Sequence, residues 1–502
     1  MKKDYTKKAV QGSIIIFIFS LISVAIGFFL RTFLAKNLTV AEYGLLYAVM
    51  AFFGLFAMFR DFGLNPALVK YIPEFLVKKD YGKIKSSIKL AFIIQVTIST
   101  VFFFCIIYFS QLLAEVFFKA EASTSLLFFI GLSFVSSVLF HLVQSIFQGF
   151  QKMKFYAMLD PIRTGIVLVV AFFAISLGYG ITGIAFGYFI AGIATGLIGF
   201  LVFLRTFPFF KIKSNINNGL RSKLFSFAIP VVGGGVASIA VTYIDTIMIT
   251  YFRTLDEVGY YQVALPISDL INIFAITLSI VTFPMVSELW ARKKNREIIK
   301  GLSTLIKFSL IIIALPSLII FVFSETIIGM FFGAKYLPAV TTLRILVLAV
   351  VFQSLTTVFF AALKGIGRIK EAVNGILLLA MSVLIFNFIL VQKFGIVGTS
   401  VANLISYFIT MLFTLYILRK NIALKVQAKD IIKIALASLF AISIGYYMKT
   451  NISVLYDIPS MGVCLFVYLA SIIVLGVIKK DDMKMLEKSG IKLPSILHKM
   501  AR

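Results

Sequence analysis

Charge is what this chain has least of. Charged residues make up 14% of its 502 positions, where an ordinary soluble domain carries about 25%. A chain that is 60% apolar cannot clothe itself in polar surface, so a soluble globular protein is excluded. Acids are scarcer still, 21 Asp and Glu against 48 Lys and Arg. There are two cysteines, Cys105 and Cys464. Both fall inside apolar runs, which excludes a disulfide framework and a cysteine-held metal. No GxxxxGK[ST] string occurs, so the chain supplies no phosphate-cradling loop of an ATPase.

What is abundant is long apolar sequence. Uncharged runs cover 9–30, 43–59, 90–114, 224–244, 372–392, 394–418 and 458–478, most close to the ~20 residues that cross hydrocarbon as a helix. Read with the shorter runs, the chain predicts an all-α polytopic membrane protein of fourteen transmembrane helices. The first run follows Lys2, Lys3, Lys7 and Lys8 but is too long for a secretory h-region, and no small-residue cleavage site precedes Arg31. Alternating loops divide the bases unequally: 36 fall on the side of the N-terminus and six on the other, Lys36, Lys119, Arg253, Lys335, Lys393 and Lys449. This is the positive-inside pattern and places both termini in the cytoplasm. The net charge of +27 is thus a topology label with some attraction to anionic lipid, and no nucleic-acid partner is expected.

The sequence also repeats. Glu42 and Gly44 return as Glu257 and Gly259, and Ile72-Pro73-Glu74 is answered by Val286-Ser287-Glu288. Gly149 with Lys152 and Lys154 is answered by Gly365 with Arg368 and Lys370, the turn 180–183 by 395–398, and Leu204-Arg205 by Leu418-Arg419, every offset between 214 and 216. An even number of spans per copy gives two copies of one orientation. The predicted organisation is an N-lobe at 1–207, a cytoplasmic linker at 208–224, a C-lobe at 225–420, two further spans within 421–478 and a basic tail at 479–502.

Ala41-Glu42-Tyr43-Gly44-Leu45, Asp61-Phe62-Gly63-Leu64 and Ile72-Pro73-Glu74 resemble the polysaccharide-biosynthesis flippases. So do Asp245 with Glu257-Val258-Gly259-Tyr260-Tyr261 and the Gly365-x-Gly-Arg loop. These flippases belong to the multidrug/oligosaccharidyl-lipid/polysaccharide exporter superfamily. The resemblance runs from roughly 10 to 420 as dispersed residues. It implies two six-helix lobes in a V, alternating access, and transfer of a polyprenyl-pyrophosphate-linked saccharide from inner to outer leaflet of the cytoplasmic membrane. Glycosyltransferases or a polymerase of the same pathway are the expected partners of a monomeric, non-enzymatic transporter without a cofactor. A cation-coupled drug exporter and a peptidoglycan-precursor flippase of the same superfamily are the alternatives, although a drug exporter would welcome an acid where the first span carries Arg31.

Burying an anionic headgroup in hydrocarbon without compensation is prohibitive, so the bases within spans are the first candidates: Arg31, Arg60, Lys89, Arg163, Lys307 and Arg344. Arg31, Arg344 and Lys307, with His141, are assigned to substrate. Arg60-Asp61 and Asp160-Arg163 read as structural ion pairs or span-end anchors. Gln95, Gln144 and Gln148 are available to hydrogen-bond sugar. Asp245 occupies the repeat position of Arg31, which predicts that the two approach each other across the lobes and close an outer gate. Asp269, three residues after Pro266, is the candidate site for coupling to H+ or Na+. Gly187, Gly192, Gly196 and Gly199 predict close helix approach, and Gly233–Gly235 with Pro230 a bend in the seventh span.

Overall fold

The structure is a computed structural model describing residues 2–213, 218–424, 427–451 and 457–478. The basic tail, linker residues 214–217 and the side chains of Lys2, Lys3, Lys7, Lys8 and Gly234 lie outside the described residues. Two compact units result, Met1–Gly259 and Tyr260–Arg502. The first holds α1 (Lys2–Asn37), α2 (Val40–Leu55), α3 (Ala57–Asp61), α4 (Leu64–Val77), α5 (Tyr81–Tyr108) and α6 (Ser110–Leu112) with a π-helical turn, Leu113–Phe118. It continues with α7 (Ser123–Gly149), α8 (Met153–Ser176), α9 (Gly180–Thr206) and α10 (Asn218–Phe252). The seventh predicted span therefore belongs to the first unit. Helix α11 (Leu255–Ala291) leads into the second unit, with α12 (Asn295–Val322), α13 (Ser324–Phe331), α14 (Val340–Gly365), α15 (Ile369–Ile422), α16 (Ala428–Asn451) and α17 (Asp457–Val474).

Among the described residues there is no strand. Twelve helices are long and apolar enough to cross a membrane, thirteen when α2 and the segment after it count as one span bent by 42°. Helix α15 runs for 54 residues, about 80 Å if straight against ~30 Å of hydrocarbon. It is interrupted at Gly395, whose φ of 56° and ψ of −138° are open to glycine and denied to other residues. Gly180, its partner in the repeat, has φ 54°.

The repeated landmarks acquire physical reasons. Thr39 and Glu42 form a reciprocal capping box at the start of α2, Thr39 N donating to Glu42 Oε2 at 2.8 Å and Glu42 N to Thr39 Oγ1 at 3.2 Å. At the start of α11, Glu257 N donates to Thr254 Oγ1 at 3.4 Å and Glu257 accepts from Arg253 Nε at 2.8 Å. Gly44 and Gly259 then lie against each other's turns. A β-carbon on Gly44 would meet the Leu255 carbonyl and come to 2.8 Å from Gly259 N, and one on Gly259 would meet the Val40 carbonyl. The other glycine pair follows suit. Gly149 leaves 3.0 Å between a would-be Cβ and Ile72 Cβ, Gly365 leaves 2.9 Å to Val286 Cβ. The loop and the Ile/Val-x-Glu motif recur together because one packs on the other.

The second span departs from expectation. In place of one helix over 42–62 and a loop over 63–85, the chain breaks at Phe56, turns left-handed at Phe62 and Gly63, and resumes as α4. Gly63 allows the turn because a β-carbon there would strike the Ala228 carbonyl. The glycines of α9 behave as read. Gly192, Gly196 and Gly199 lie on Ser136, Leu139 and Val143 of α7, and Gly187 lies on Val170 of α8. Helix α10 is continuous through Pro230.

Substituting Gly44→Ala or Gly259→Ala forces backbone apart and should cost about 1–3 kcal/mol, read as a lower melting temperature in detergent. Gly165→Ala on α8, with nothing within 4 Å of its would-be Cβ, should leave stability unchanged or raise it.

Candidate functional site

The interior of the first unit gathers bases and tyrosines. Arg31 of α1 places its guanidinium over the Tyr47 ring, 4.4 Å from the centroid, with Tyr43 and Tyr188 alongside. Tyr43 and Tyr47 pack with centroids 4.8 Å apart. A desolvated cation over an aromatic face gains about 2 kcal/mol, a fraction of what burial costs it.

Farther along the unit, Arg60 of α3 donates through Nη1 to Ser137 Oγ at 2.7 Å and to the Phe134 carbonyl at 3.4 Å, and lies over the Phe134 ring at 4.8 Å. Arg163 of α8 lies over the Phe140 ring at 5.0 Å. His141 is in electrostatic range of both arginines, and Tyr243 of α10 likewise. Tyr188 of α9 is in electrostatic range of Arg31 and of Arg163. Arg31, Arg60 and Arg163 thus share the first unit with His141, Tyr43, Tyr47, Tyr188 and Tyr243.

The acids beside these arginines do not bridge to them, which corrects the ion pairs expected from the sequence. Asp61 accepts from Asn65 N at 3.0 Å and Gln95 Nε2 at 3.2 Å. Asp160 accepts from Gln144 Nε2 at 2.8 Å. Among the described residues neither carboxylate lies within 4 Å of Arg60 or Arg163. Adjacent positions on one helix point in different directions, so Arg60 and Asp61 need not meet; Asp160 shares a face of α8 with Arg163 but turns to Gln144. Gln95 and Gln144 are spent on carboxylates.

The remaining sequence candidates lie elsewhere. Asp245 is buried on α10, in the same unit as Arg31. In the second unit, Lys307 is buried on α12 with its Nζ 5.6 Å from the Phe308 centroid, and Asp269 is exposed on α11. Arg344 belongs to a clasp. Its Nε donates to Ser324 Oγ at 2.9 Å and the Phe321 carbonyl at 3.2 Å, and its Nη2 reaches Glu325 at 3.2 Å. Lys449 of α16 grips the other Glu325 oxygen at 2.7 Å. These contacts account for the Arg344 charge without a ligand and tie α13, α14 and α16 together. An apolar groove of about 470 Å³ runs between α16 and α17, lined by Leu436, Phe440, Phe466 and Val474 among others.

Long apolar helices around an interior of fixed positive charge define a multi-pass membrane protein of transporter type. Residues 9–290 match the family model described as "Polysaccharide biosynthesis protein", and residues 230–391 the MatE model. The first match spans more than half of the chain, and the protein belongs to the polysaccharide biosynthesis protein family. It is 28% identical to an uncharacterized membrane protein of Methanocaldococcus jannaschii, over 96% of this chain and 98% of the relative. It is 23% identical to a "Probable low-salt glycan biosynthesis flippase" of Haloferax volcanii, over 88% and 90%. Its fold matches that of the lipid II flippase MurJ in an inward closed conformation, with a TM-score of 0.77 at 19% identity, covering 91% of this chain and 98% of that one. An inward-facing multidrug MATE transporter matches with a TM-score of 0.65 at 14% identity, over 80% and 96%.

The clasp should respond to acid. Lys449 foremost, then the Arg344 guanidinium, hold Glu325 below the ordinary carboxylate range. Its stabilisation is therefore complete above the unfolded-state value near 4.5 and is lost as pH falls below it. Glu325→Gln should remove that part of the pH dependence of thermal unfolding, at a cost of about 1 kcal/mol or less at neutral pH.

Proposed function

We propose that this protein is a flippase. It carries a polyprenyl-(pyro)phosphate-linked oligosaccharide from the cytoplasmic to the outer leaflet of the plasma membrane by alternating access, for cell-surface polysaccharide or glycoprotein synthesis. The observation that carries this reading is the cation-and-tyrosine interior of the first unit. Arginine keeps its charge at any accessible pH, and bases held inside an apolar bundle are matched by an anion that visits. The glycan-flippase name of the Haloferax relative supports the saccharide. The lipid II flippase likeness supports a long-tailed phospholipid-like cargo, and the groove between α16 and α17 suits such a tail.

In this reading the membrane-crossing helices number fourteen, α15 contributing two across Gly395, and both termini are cytoplasmic. Arg31, His141 and Lys307 receive the headgroup, Arg344 holds the helix clasp, and Arg31 with Asp245 close the outer gate. Asp269 couples transport to H+ or Na+. An inside-negative potential assists as well, by ~2.3 kcal/mol per charge per 100 mV.

Proteoliposomes containing a fluorescent lipid-pyrophosphate-sugar provide the test. Translocation should exceed that of empty liposomes, and Arg31→Ala should slow it at least tenfold, the scale of one hydrogen bond to a charged group. Wild-type rates no higher than those of empty liposomes refute the proposal.

A further inference from the structure

Helix α10 changes allegiance between sequence and structure. By the repeat it opens the second copy, Asp245 standing 214 positions after Arg31, yet it belongs to the first unit and packs along α2, α3 and α4. Its inner turns rest on aromatic rings. Phe227 meets the Tyr71 ring with centroids 5.8 Å apart, Lys70 Nζ lies 4.0 Å from the Phe227 centroid, and Phe225 meets Phe62 at 6.1 Å. Beside them Lys223 Nζ reaches Glu74 of α4 at 2.7 Å and lies over the Tyr71 and Phe75 rings at 4.8 and 5.2 Å.

The second copy shows what this contact adds. Glu74 also binds Lys78, one turn on, at 2.7 Å, and its repeat counterpart Glu288 binds Arg292 in the same way at 2.6 Å. Among the described residues Glu288 has no second cation, so the bond from Lys223 is particular to the first copy. It is also a bond that breaks easily. Lys223 and Glu74 keep 36% and 34% of their side-chain surface exposed, and exposed ion pairs are weak. Opening strands neither charge, since Glu74 keeps Lys78 and Lys223 keeps the faces of Tyr71 and Phe75. The apolar seat beneath, with Leu220, Leu224 and Ala228 buried, gives no hydrophobic reason to stay where the alternative surroundings are lipid. The polar contact is what specifies the docked position.

We infer that Lys223 and Glu74 form a releasable latch at the cytoplasmic end of α10, closed in this conformation and opened in each transport cycle so that the inner turns of α10 leave α4. This rests on the alternating access of the proposed function. The two ends of α10 differ in what holds them. At the outer end Lys119 Nζ donates to the Tyr251 carbonyl at 3.2 Å and the Phe117 ring lies 6.0 Å from that of Tyr251, a grip that stays while the inner end moves. The chain before α10 is moored to α5, where Lys85 Nζ donates to the Ile212 carbonyl at 2.7 Å. The movement is therefore confined to the inner turns of α10, and the latch controls it.

The test places a reporter thiol under the latch of the full-length protein. Leu224, buried next to Lys223, is replaced as Leu224→Cys in a Cys105→Ser background, Cys464 being buried, and its labelling by a maleimide is timed. Lys223→Ala should speed labelling about fivefold, the scale of one exposed ion pair. Lys223→Arg, Lys78→Ala and Glu288→Ala should label at the parental rate, because each leaves Glu74 with a cation from α10. In a second arm Glu74→Cys and Lys223→Cys are joined by a short reducible bis-thiosulfonate. Translocation in proteoliposomes should stop on cross-linking and return on reduction. Unchanged labelling in Lys223→Ala overturns the latch. Undiminished translocation by fully cross-linked protein overturns its opening and leaves a static tie. A parent that translocates nothing refutes the flippase reading instead, and the labelling arm still decides whether the latch holds α10.

Discussion

A guanidinium cannot surrender its proton inside an apolar bundle, and most of this structure can be understood as the management of that constraint. Arg31 rests on Tyr47, Arg60 on Phe134 and Ser137, Arg163 on Phe140. Each contact recovers a little of the desolvation cost and none recovers it fully. The acids that could have neutralised two of these bases are turned to amides instead, Asp61 to Gln95 and Asp160 to Gln144. Arg60 and Arg163 thus form no ion pair with Asp61 or Asp160.

The second unit treats Arg344 and Lys449 in the opposite way. Arg344 and Lys449 share Glu325, and the clasp fastens the penultimate span to the helices it packs on. The difference follows from which carboxylates come within bonding distance. Where a base meets an acid, as Arg344 meets Glu325, the pair ties helices together, and Arg60 and Arg163 rest on aromatic faces instead.

The duplication supplies the frame for both. Its surviving landmarks are those with a backbone reason: a capping carboxylate at each turn, a glycine where two turns touch, a glycine where a loop lies on an Ile or Val, a left-handed glycine where the chain reverses.

Spans, repeat and resemblance were legible in the sequence because they depend on local quantities: hydropathy over twenty residues, loop charge, and glycine at positions where nothing larger fits. The break in the second span at Phe56 was not legible, since the carbonyl of Ala228 that shapes the Gly63 turn comes from a helix some 165 residues away. Nor were the partners of the bases. Arg60-Asp61 and Asp160-Arg163 read as pairs by proximity along the chain, yet Gln95 and Gln144 arrive from other helices to take the acids. Sequence alone determined that this chain crosses a membrane, is doubled, and carries bases within its spans. Tertiary structure decided which of those bases meet a carboxylate and which rest on aromatic faces, because that depends on distances between helices that no local pattern encodes.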